Sequence, residues 1–229
     1  MNIQRTRLHT ARAGVRGEAR GAGSLAGDQA WLIWLAGALL LSAMAMACWL
    51  AQPGVDGVRW LIRATARTSL LFFLLAYTAQ AAVQAWPSAW SSWQRRHRRQ
   101  WGWLLVTSHG LHAIGIISLA SMAPDLFANL SPPAQRIGPG LAYLVIILMG
   151  LTSFDRTAAW LGRVWWARLH TWGMHYLWFS FLVANGKRVG AHPEYALPVA
   201  LLVAAFIWRL WARKAGQAIK AEPANAAQA

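Results

Sequence analysis

The sequence is poor in cysteine and in acidic residues. Its one cysteine, Cys48, excludes an internal disulfide, a zinc site of several cysteines and an iron–sulfur cluster held by thiolates. The 7 Asp and Glu residues face 22 Lys and Arg residues, giving a formal net charge of +15. Charged residues make up 13% of the chain, against about 25% in soluble domains. No GxGxxG or Walker-type loop follows a predicted strand, so no flavin, nicotinamide or other nucleotide site is expected within this chain.

Hydrophobic residues make up 57% of the chain and are gathered into long runs. A bilayer core about 30 Å thick is crossed by about 20 apolar residues, because a helix rises 1.5 Å per residue. The runs predict spans at about 31–51, 60–85, 101–122, 141–151, 164–184 and 196–211. The expected fold class is therefore all-α, an integral membrane bundle of about six transmembrane helices. Most of the 16 tryptophans lie at predicted span ends, as interfacial anchors do.

The chain divides into a basic N-terminal tail (1–29), a six-span domain (30–214) and a polar C-terminal tail (215–229). Basic clusters at 95–99 and 156–168 fall on the same side of the membrane as both termini. The positive-inside bias places that side in the cytoplasm. Because the basic residues lie beside apolar runs, the expected partner is the lipid bilayer and not a nucleic acid.

Four histidines lie within predicted spans, His109 and His112 in the third and His170 and His175 in the fifth. Ionisable groups at membrane depth are expensive and so mark functional sites. Imidazole is a usual axial ligand of haem iron, and a haem held between two helices needs one histidine from each. The alternative is structural, since a histidine in a membrane helix can also hydrogen-bond a neighbouring helix.

Helix geometry distinguishes the two pairs. His109 and His112 are three residues apart and share one face, whereas His170 and His175 are about 140° apart around the axis. The two spans run in the same direction. If the fifth begins near Arg163, His170 is expected at a depth close to that of His109 and His175 close to that of His112. One well-formed haem-binding pair is therefore expected rather than two.

Three arginines, Arg59, Arg63 and Arg67, share a face of the second span because they are spaced by four. Arg59 is explained by snorkelling to the lipid headgroups. Arg67 lies deeper and has two readings, snorkelling or a charge-assisted hydrogen bond to a haem propionate or a quinone head. After the fourth span, Thr152 or Ser153 is expected to cap the following turn.

These residues resemble a known family. Arg95-Arg96 and Trp101-Gly102 before a histidine-bearing span, and the segments 151–153, 161–163 and 168–170, resemble the ferric reductase-like transmembrane domain superfamily. Within it, the likeness is nearest to the haem-binding membrane subunits of bacterial methionine-sulfoxide reductase systems. The resemblance implies haem ligands at His112 and His170. The family's second histidine, about thirteen residues after His170, is replaced by Val183, so the two-haem arrangement is not expected.

The resulting hypothesis is a b-type haem protein of the bacterial inner membrane. It would transfer electrons from the quinone pool or a partner oxidoreductase to an acceptor across or within the membrane. His112 and His170 are the ligands that the family implies, and His109 and His175 are the geometric alternatives. The rival hypothesis is a small transporter or a structural or regulatory membrane partner without haem. Iron content separates the two.

Overall fold

The computed structural model describes residues 31–226, with side chains from 31 to 215. This part of the chain forms nine α-helices and two short 3-10 helices and contains no strand, which confirms the all-α class. The predicted tail at 1–29 lies outside the described residues. The predicted C-terminal tail begins inside a helix that continues to Ala226.

The nine helices, in chain order, are α1 (Trp31–Ala51), α2 (Val55–Ala85), α3 (Ala89–Arg96), α4 (Arg98–Met122), α5 (Pro124–Leu130), α6 (Ile137–Leu151), α7 (Asp155–Leu161), α8 (Arg163–Gly186) and α9 (Ala196–Ala226). The 3-10 helices are Pro133–Gln135 and Pro193–Tyr195, just before α6 and α9.

Five of the six predicted spans are long and apolar enough to cross a membrane: those in α1, α2, α4, α6 and α9. These five helices are suited to a multi-pass membrane protein. The sixth, α8, has 24 residues, or about 36 Å of helix, so its length also suffices. It is less apolar than the others because it carries Arg168, His170 and His175.

Five long helices form a closed ring. α2 packs between α4 and α9, α8 packs between α9 and α6, and α6 returns to α4. Phe181 of α8 reaches across the ring, with its ring centroid 5.2 Å from that of Phe73 on α2. α1 lies outside the ring against α4, where the Trp34 indole donates to Thr107 at 3.3 Å.

Close approach of α8 to α6 depends on Gly173. A Cβ atom at this position would lie 2.5 Å from Sδ of Met149 and 3.1 Å from Cγ1 of Val145. Small residues at such crossings let membrane helices pack backbone to backbone. Gly173 therefore fixes where α8 sits along α6.

One end of the ring is strongly basic, and we call it the basic end. The side-chain contacts Arg99–Asp155, Trp166–Thr152 and Arg209–Tyr77 join its helices there. Ten cationic side chains lie at this end (Arg95, Arg96, Arg98, Arg99, Arg156, Arg163, Arg168, Arg209, Arg213, Lys214), against one described carboxylate, Asp155.

Two local signals shape the basic end. Ser88 and Ser91 form a reciprocal capping box that starts α3. Gly162 has a φ of 77° and allows the sharp turn from α7 into α8. The expected cap by Thr152 or Ser153 is wrong, because α7 begins after Phe154 without a side-chain cap. Both hydroxyls instead donate back to carbonyl groups of α6.

Candidate functional site

The two histidines of α4 lie together at the contact with α2. Their ring centroids are 5.3 Å apart and the ring planes are inclined by 29°. Each ring is half-buried, and each meets a polar group of α2 through its Nδ1 atom. The predicted shared face of His109 and His112 is therefore confirmed.

Polar groups of α2 set the protonation of His112. Its Nδ1 atom lies 3.0 Å from the carbonyl oxygen of Ile62 and 3.1 Å from Oγ1 of Thr65. A carbonyl oxygen can only accept, so Nδ1 carries the proton and donates it. The Thr65 hydroxyl is directed at the Leu61 carbonyl, 2.6 Å away. Nε2 of His112 therefore keeps its lone pair.

A chain of buried hydroxyl groups sets the protonation of His109 in the same sense. Ser108 donates to the Thr65 carbonyl at 3.0 Å, and Ser69 donates to Oγ of Ser108 at 2.9 Å. Because the hydroxyl proton of Ser69 is already donated to Ser108, its oxygen accepts a hydrogen bond from Nδ1 of His109 at 3.2 Å. Thr65, Ser69 and Ser108 are all fully buried. His109, like His112, is left with a free Nε2 lone pair.

Beside this pair lies a polar atom without a partner. The Tyr143 ring of α6 is 4.7 Å from the His109 ring, centroid to centroid. Its hydroxyl is buried and makes no hydrogen bond within the described part of the chain. Buried hydroxyls are normally paired, so the interior next to His109 offers an unused donor and acceptor. Phe181 closes the opposite side of His109, with centroids 6.1 Å apart.

His170 of α8 lies at the basic end. Its Nε2 atom is 3.1 Å from Oγ1 of Thr152, and its ring stacks on Trp166 at 4.2 Å between centroids. It shares the core-facing stripe of α8 with Met174 and Leu177, four and seven positions along the helix. Because Nε2 is engaged, Nδ1 is the nitrogen left over.

His175 of α8 lies between α2 and α9. Its Nδ1 atom is 3.4 Å from the hydroxyl oxygen of Tyr77, and its ring meets Phe206 edge-on at 6.4 Å between centroids. Tyr77 is fully buried, so this hydrogen bond fixes the ring firmly. Its Nε2 atom makes no hydrogen bond among the described residues, but the Tyr77 hydroxyl can donate or accept, so this contact does not fix which ring nitrogen carries the proton.

The predicted equality of depths is wrong. His109 contacts Phe181, eleven positions beyond His170, whereas His170 contacts Thr152 at the end of α6. His175 bonds to Tyr77, eight positions nearer the basic end than Ser69, the partner of His109. Both α8 histidines therefore lie closer to the basic end than the α4 pair. The packing of α8 against α6, and not its start at Arg163, determines this offset.

Arg67 is not brought to the histidines. It is exposed, and it lies two positions from Thr65, which places it on the opposite side of α2 from the face that contacts α4. Arg63 is exposed as well, and Arg59 pairs with Asp56 at 3.4 Å. The expected approach of Arg67 to a cofactor between α4 and α8 has no contact to support it.

The oxygens of α2 that form hydrogen bonds with the histidines were not predicted from the sequence. Thr65 and Ser69 lie four apart, and Ile62 lies three before Thr65, so all share the α4-facing side of α2. The spacing of these three residues in the sequence indicates that they share one face of the helix. Within the described residues, no three His, Cys, Asp or Glu side chains converge to hold a metal ion.

Comparison of the chain with protein-family models, with curated proteins and with solved structures finds no match.

Proposed function

We propose that this chain is a membrane b-type haem protein that transfers electrons, with one haem held by imidazoles of α4 and α8. The observation that carries the proposal is the pair His109 and His112, each with Nδ1 hydrogen-bonded and Nε2 free. Histidines that ligate a metal almost always donate their other ring N–H to a carbonyl, carboxylate or water. His112, bonded to the Ile62 carbonyl, meets this requirement.

The donor set fits haem better than a bare metal ion. A porphyrin already supplies four nitrogens, so two imidazoles complete its iron. A zinc site needs three or four protein ligands, and in the part of the chain that the structure describes no cysteine or carboxylate joins the histidines in such a group. The interior also offers aromatic walls, Phe73 and Phe181, for the apolar face of a porphyrin.

The proposed ligands are one imidazole from α4 and one from α8. The family resemblance implies His112 and His170, which are the two histidines furthest apart in depth. His109 and His175, the alternatives, lie closer together in depth. His170 is favoured by its place on the core-facing stripe of α8. His175 is favoured by its depth, which is nearer to that of His109. When bound, haem b supplies one-electron iron chemistry. The hydroxyl and carbonyl oxygens of α2 orient the imidazoles of His109 and His112 and keep their Nε2 atoms unprotonated.

The same proposal extends to location and partners. The basic end, with its ten cations, would face the cytoplasm of a bacterial inner membrane by the positive-inside bias. A partner oxidoreductase with an acidic surface could dock there, or quinol could deliver electrons from within the bilayer. Both would feed the same histidine-lined interior.

An absorption spectrum with an iron assay tests the proposal. Protein purified from haem-replete cells is expected to show a Soret band that shifts on reduction, and about one iron per chain. A colourless, iron-free preparation that is folded by circular dichroism would refute it.

Single replacements by Ala of His109, His112, His170 and His175 identify the ligands. Loss of either true ligand is expected to remove most of the haem or to change its spin state. His192→Ala is the matched control, because His192 lies in a loop and pairs only with Glu194 at 3.4 Å. Full haem content and an unchanged spectrum in all four variants would remove the assignment to α4 and α8.

A further inference from the structure

Arg209 of α9 is held in a fixed position at the basic end. Its guanidinium lies over the Tyr77 ring, 4.0 Å from the centroid, and Nη1 donates to the Tyr77 carbonyl. Tyr77 is fully buried. A guanidinium has five N–H donors, and the Tyr77 carbonyl is the one hydrogen-bond acceptor that Arg209 has among the described side chains and backbone.

No carboxylate neutralises Arg209 within residues 31–215. Four carboxylates are described, and Asp56, Asp155 and Glu194 pair with Arg59, Arg99 and His192. The fourth, Asp125, lies in α5 beyond the opposite end of α4. A membrane arginine usually pairs with an acidic group or a carbonyl, so Arg209 retains most of its capacity to bind an anion.

A second arginine converges on the same place. Arg213 lies one turn beyond Arg209 on α9 and therefore shares its side of the helix. Arg98 begins α4 at the same end of the ring. Like charges held near one another repel, and an anion bound between them relieves this repulsion.

The surroundings match the headgroup layer of a membrane. Trp208 and Trp211 flank Arg209, and tryptophans concentrate where a helix leaves the hydrocarbon core. Trp208 also lines a crevice of about 270 Å³ between α2, α3 and α9, with Trp86, Trp90 and the buried Gln94. This crevice, which Trp208 connects in sequence to Arg209, has room for the glycerol part of a lipid.

We propose that Arg209 and Arg213, with Arg98, form a site for the phosphate group of an anionic phospholipid. The fork of a guanidinium matches phosphate oxygens in bidentate fashion. Basic pockets between membrane helices bind lipid phosphates in this way. No histidine contributes a contact to this site, although Tyr77 connects Arg209 to His175.

Lipid retention in native mass spectrometry tests the site on the full chain released from micelles. Wild-type protein is expected to retain phosphatidylglycerol in preference to phosphatidylcholine. Arg209→Gln is expected to weaken phosphatidylglycerol binding about tenfold. Arg213→Gln, whose side chain is exposed and leaves the Tyr77 packing intact, is expected to weaken it severalfold and guards against misfolding of the first variant.

Arg168→Gln is the matched control. Arg168 is an exposed arginine of the same end that stacks on Trp165, so it reports a general loss of positive charge. It is expected to leave binding within twofold of wild type. Equal losses for Arg168→Gln and Arg209→Gln, or unchanged binding in both Arg209→Gln and Arg213→Gln, would overturn the site. Stabilisation of the protein by inorganic phosphate as strong as that by phosphatidylglycerol would overturn the assignment to lipid.

Discussion

Ser108 is fully buried where α4 crosses α2 and connects three polar groups. It donates to the Thr65 carbonyl and accepts from Ser69, and its oxygen lies 2.7 Å from Oγ1 of Thr68. Ser108→Ala removes the acceptor of the Ser69 hydroxyl proton and one donor to the Thr65 carbonyl. We expect a loss of about 1 kcal/mol in the free energy of unfolding, since hydrogen bonds between membrane helices contribute about 0.6 to 2 kcal/mol. Denaturation in mixed detergent micelles measures this loss.

The control for this change is Ser121→Ala on the same helix. Its hydroxyl is exposed and bonds only to the Ile117 carbonyl of its own helix. It should leave the unfolding free energy unchanged. A Ser108→Ala protein as stable as Ser121→Ala would mean that the hydroxyl chain does not join α2 to α4.

The same chain of hydroxyl groups should also determine which ring nitrogen of His109 carries the proton. Ser69→Ala removes the acceptor of the His109 Nδ1 proton. The imidazole then loses its preferred tautomer, and its protons can distribute between both ring nitrogens. Nitrogen-15 chemical shifts of the labelled imidazole are expected to move toward a mixed tautomer for His109 while those of His112, held by Ile62, stay in place. Unchanged shifts for His109 would contradict the assignment of its proton to Nδ1.

At the scale of helices, Gly173 sets the distance between α6 and α8. Gly173→Leu would place side-chain atoms where Met149 and Val145 now lie. We expect a loss of about 1 to 3 kcal/mol in stability, as is typical of overpacked sites, and a lower thermal unfolding midpoint by circular dichroism. Gly186→Leu, in open space at the end of the same helix, should have little effect. Equal midpoints for the two variants would show that α8 does not pack closely on α6.

The ends of the first two long helices could be predicted because proline and glycine mark them, whereas α2 and α6 begin about four or five residues before the predicted spans and α9 continues beyond 211. α1 ends at Ala51 before Pro53-Gly54, and α2 ends at Ala85 before Trp86-Pro87. The short helices α3, α5 and α7 were not predicted, since seven or eight residues at a membrane surface carry too weak a periodic pattern. The start of α3 depends on a capping box between Ser88 and Ser91, which becomes evident only in the structure.

The candidate site could be predicted only in part. His109 and His112 stand out because imidazoles are rare in apolar runs, and their shared face follows from a spacing of three. Their partners could not be predicted, because Ser69 and Thr65 meet them only through the register of α2 against α4. The depth of His170 likewise depends on how α8 packs against α6 near Gly173. In the sequence, Arg209 is a single basic residue near the end of the sixth predicted span, and only the structure shows its contact with Tyr77.

At the scale of the whole molecule, closure of the ring depends on α8 crossing the membrane with the other helices. If it crosses, the connection at 187–192 lies on the opposite side from the basic end. Arg188→Cys and Arg96→Cys, each made in a Cys48→Ser background, test this with a membrane-impermeant maleimide added to sealed spheroplasts. Arg188→Cys is expected to react from outside, and Arg96→Cys only after the membrane is opened.

Ser131→Cys supplies the reference for the outer side, because Ser131 lies between α5 and α6, and α6 is independently long and apolar enough to span. It should react like Arg188→Cys. Labelling of Arg188→Cys together with Arg96→Cys, and not with Ser131→Cys, would mean that α8 lies along the surface and returns to the side from which it started. The histidines of α8 would then lie outside the bilayer core, and the closed ring that joins them to α4 would have to open. If Arg188→Cys is instead labelled like Ser131→Cys, α8 crosses the membrane and all four imidazoles lie within one membrane-embedded interior.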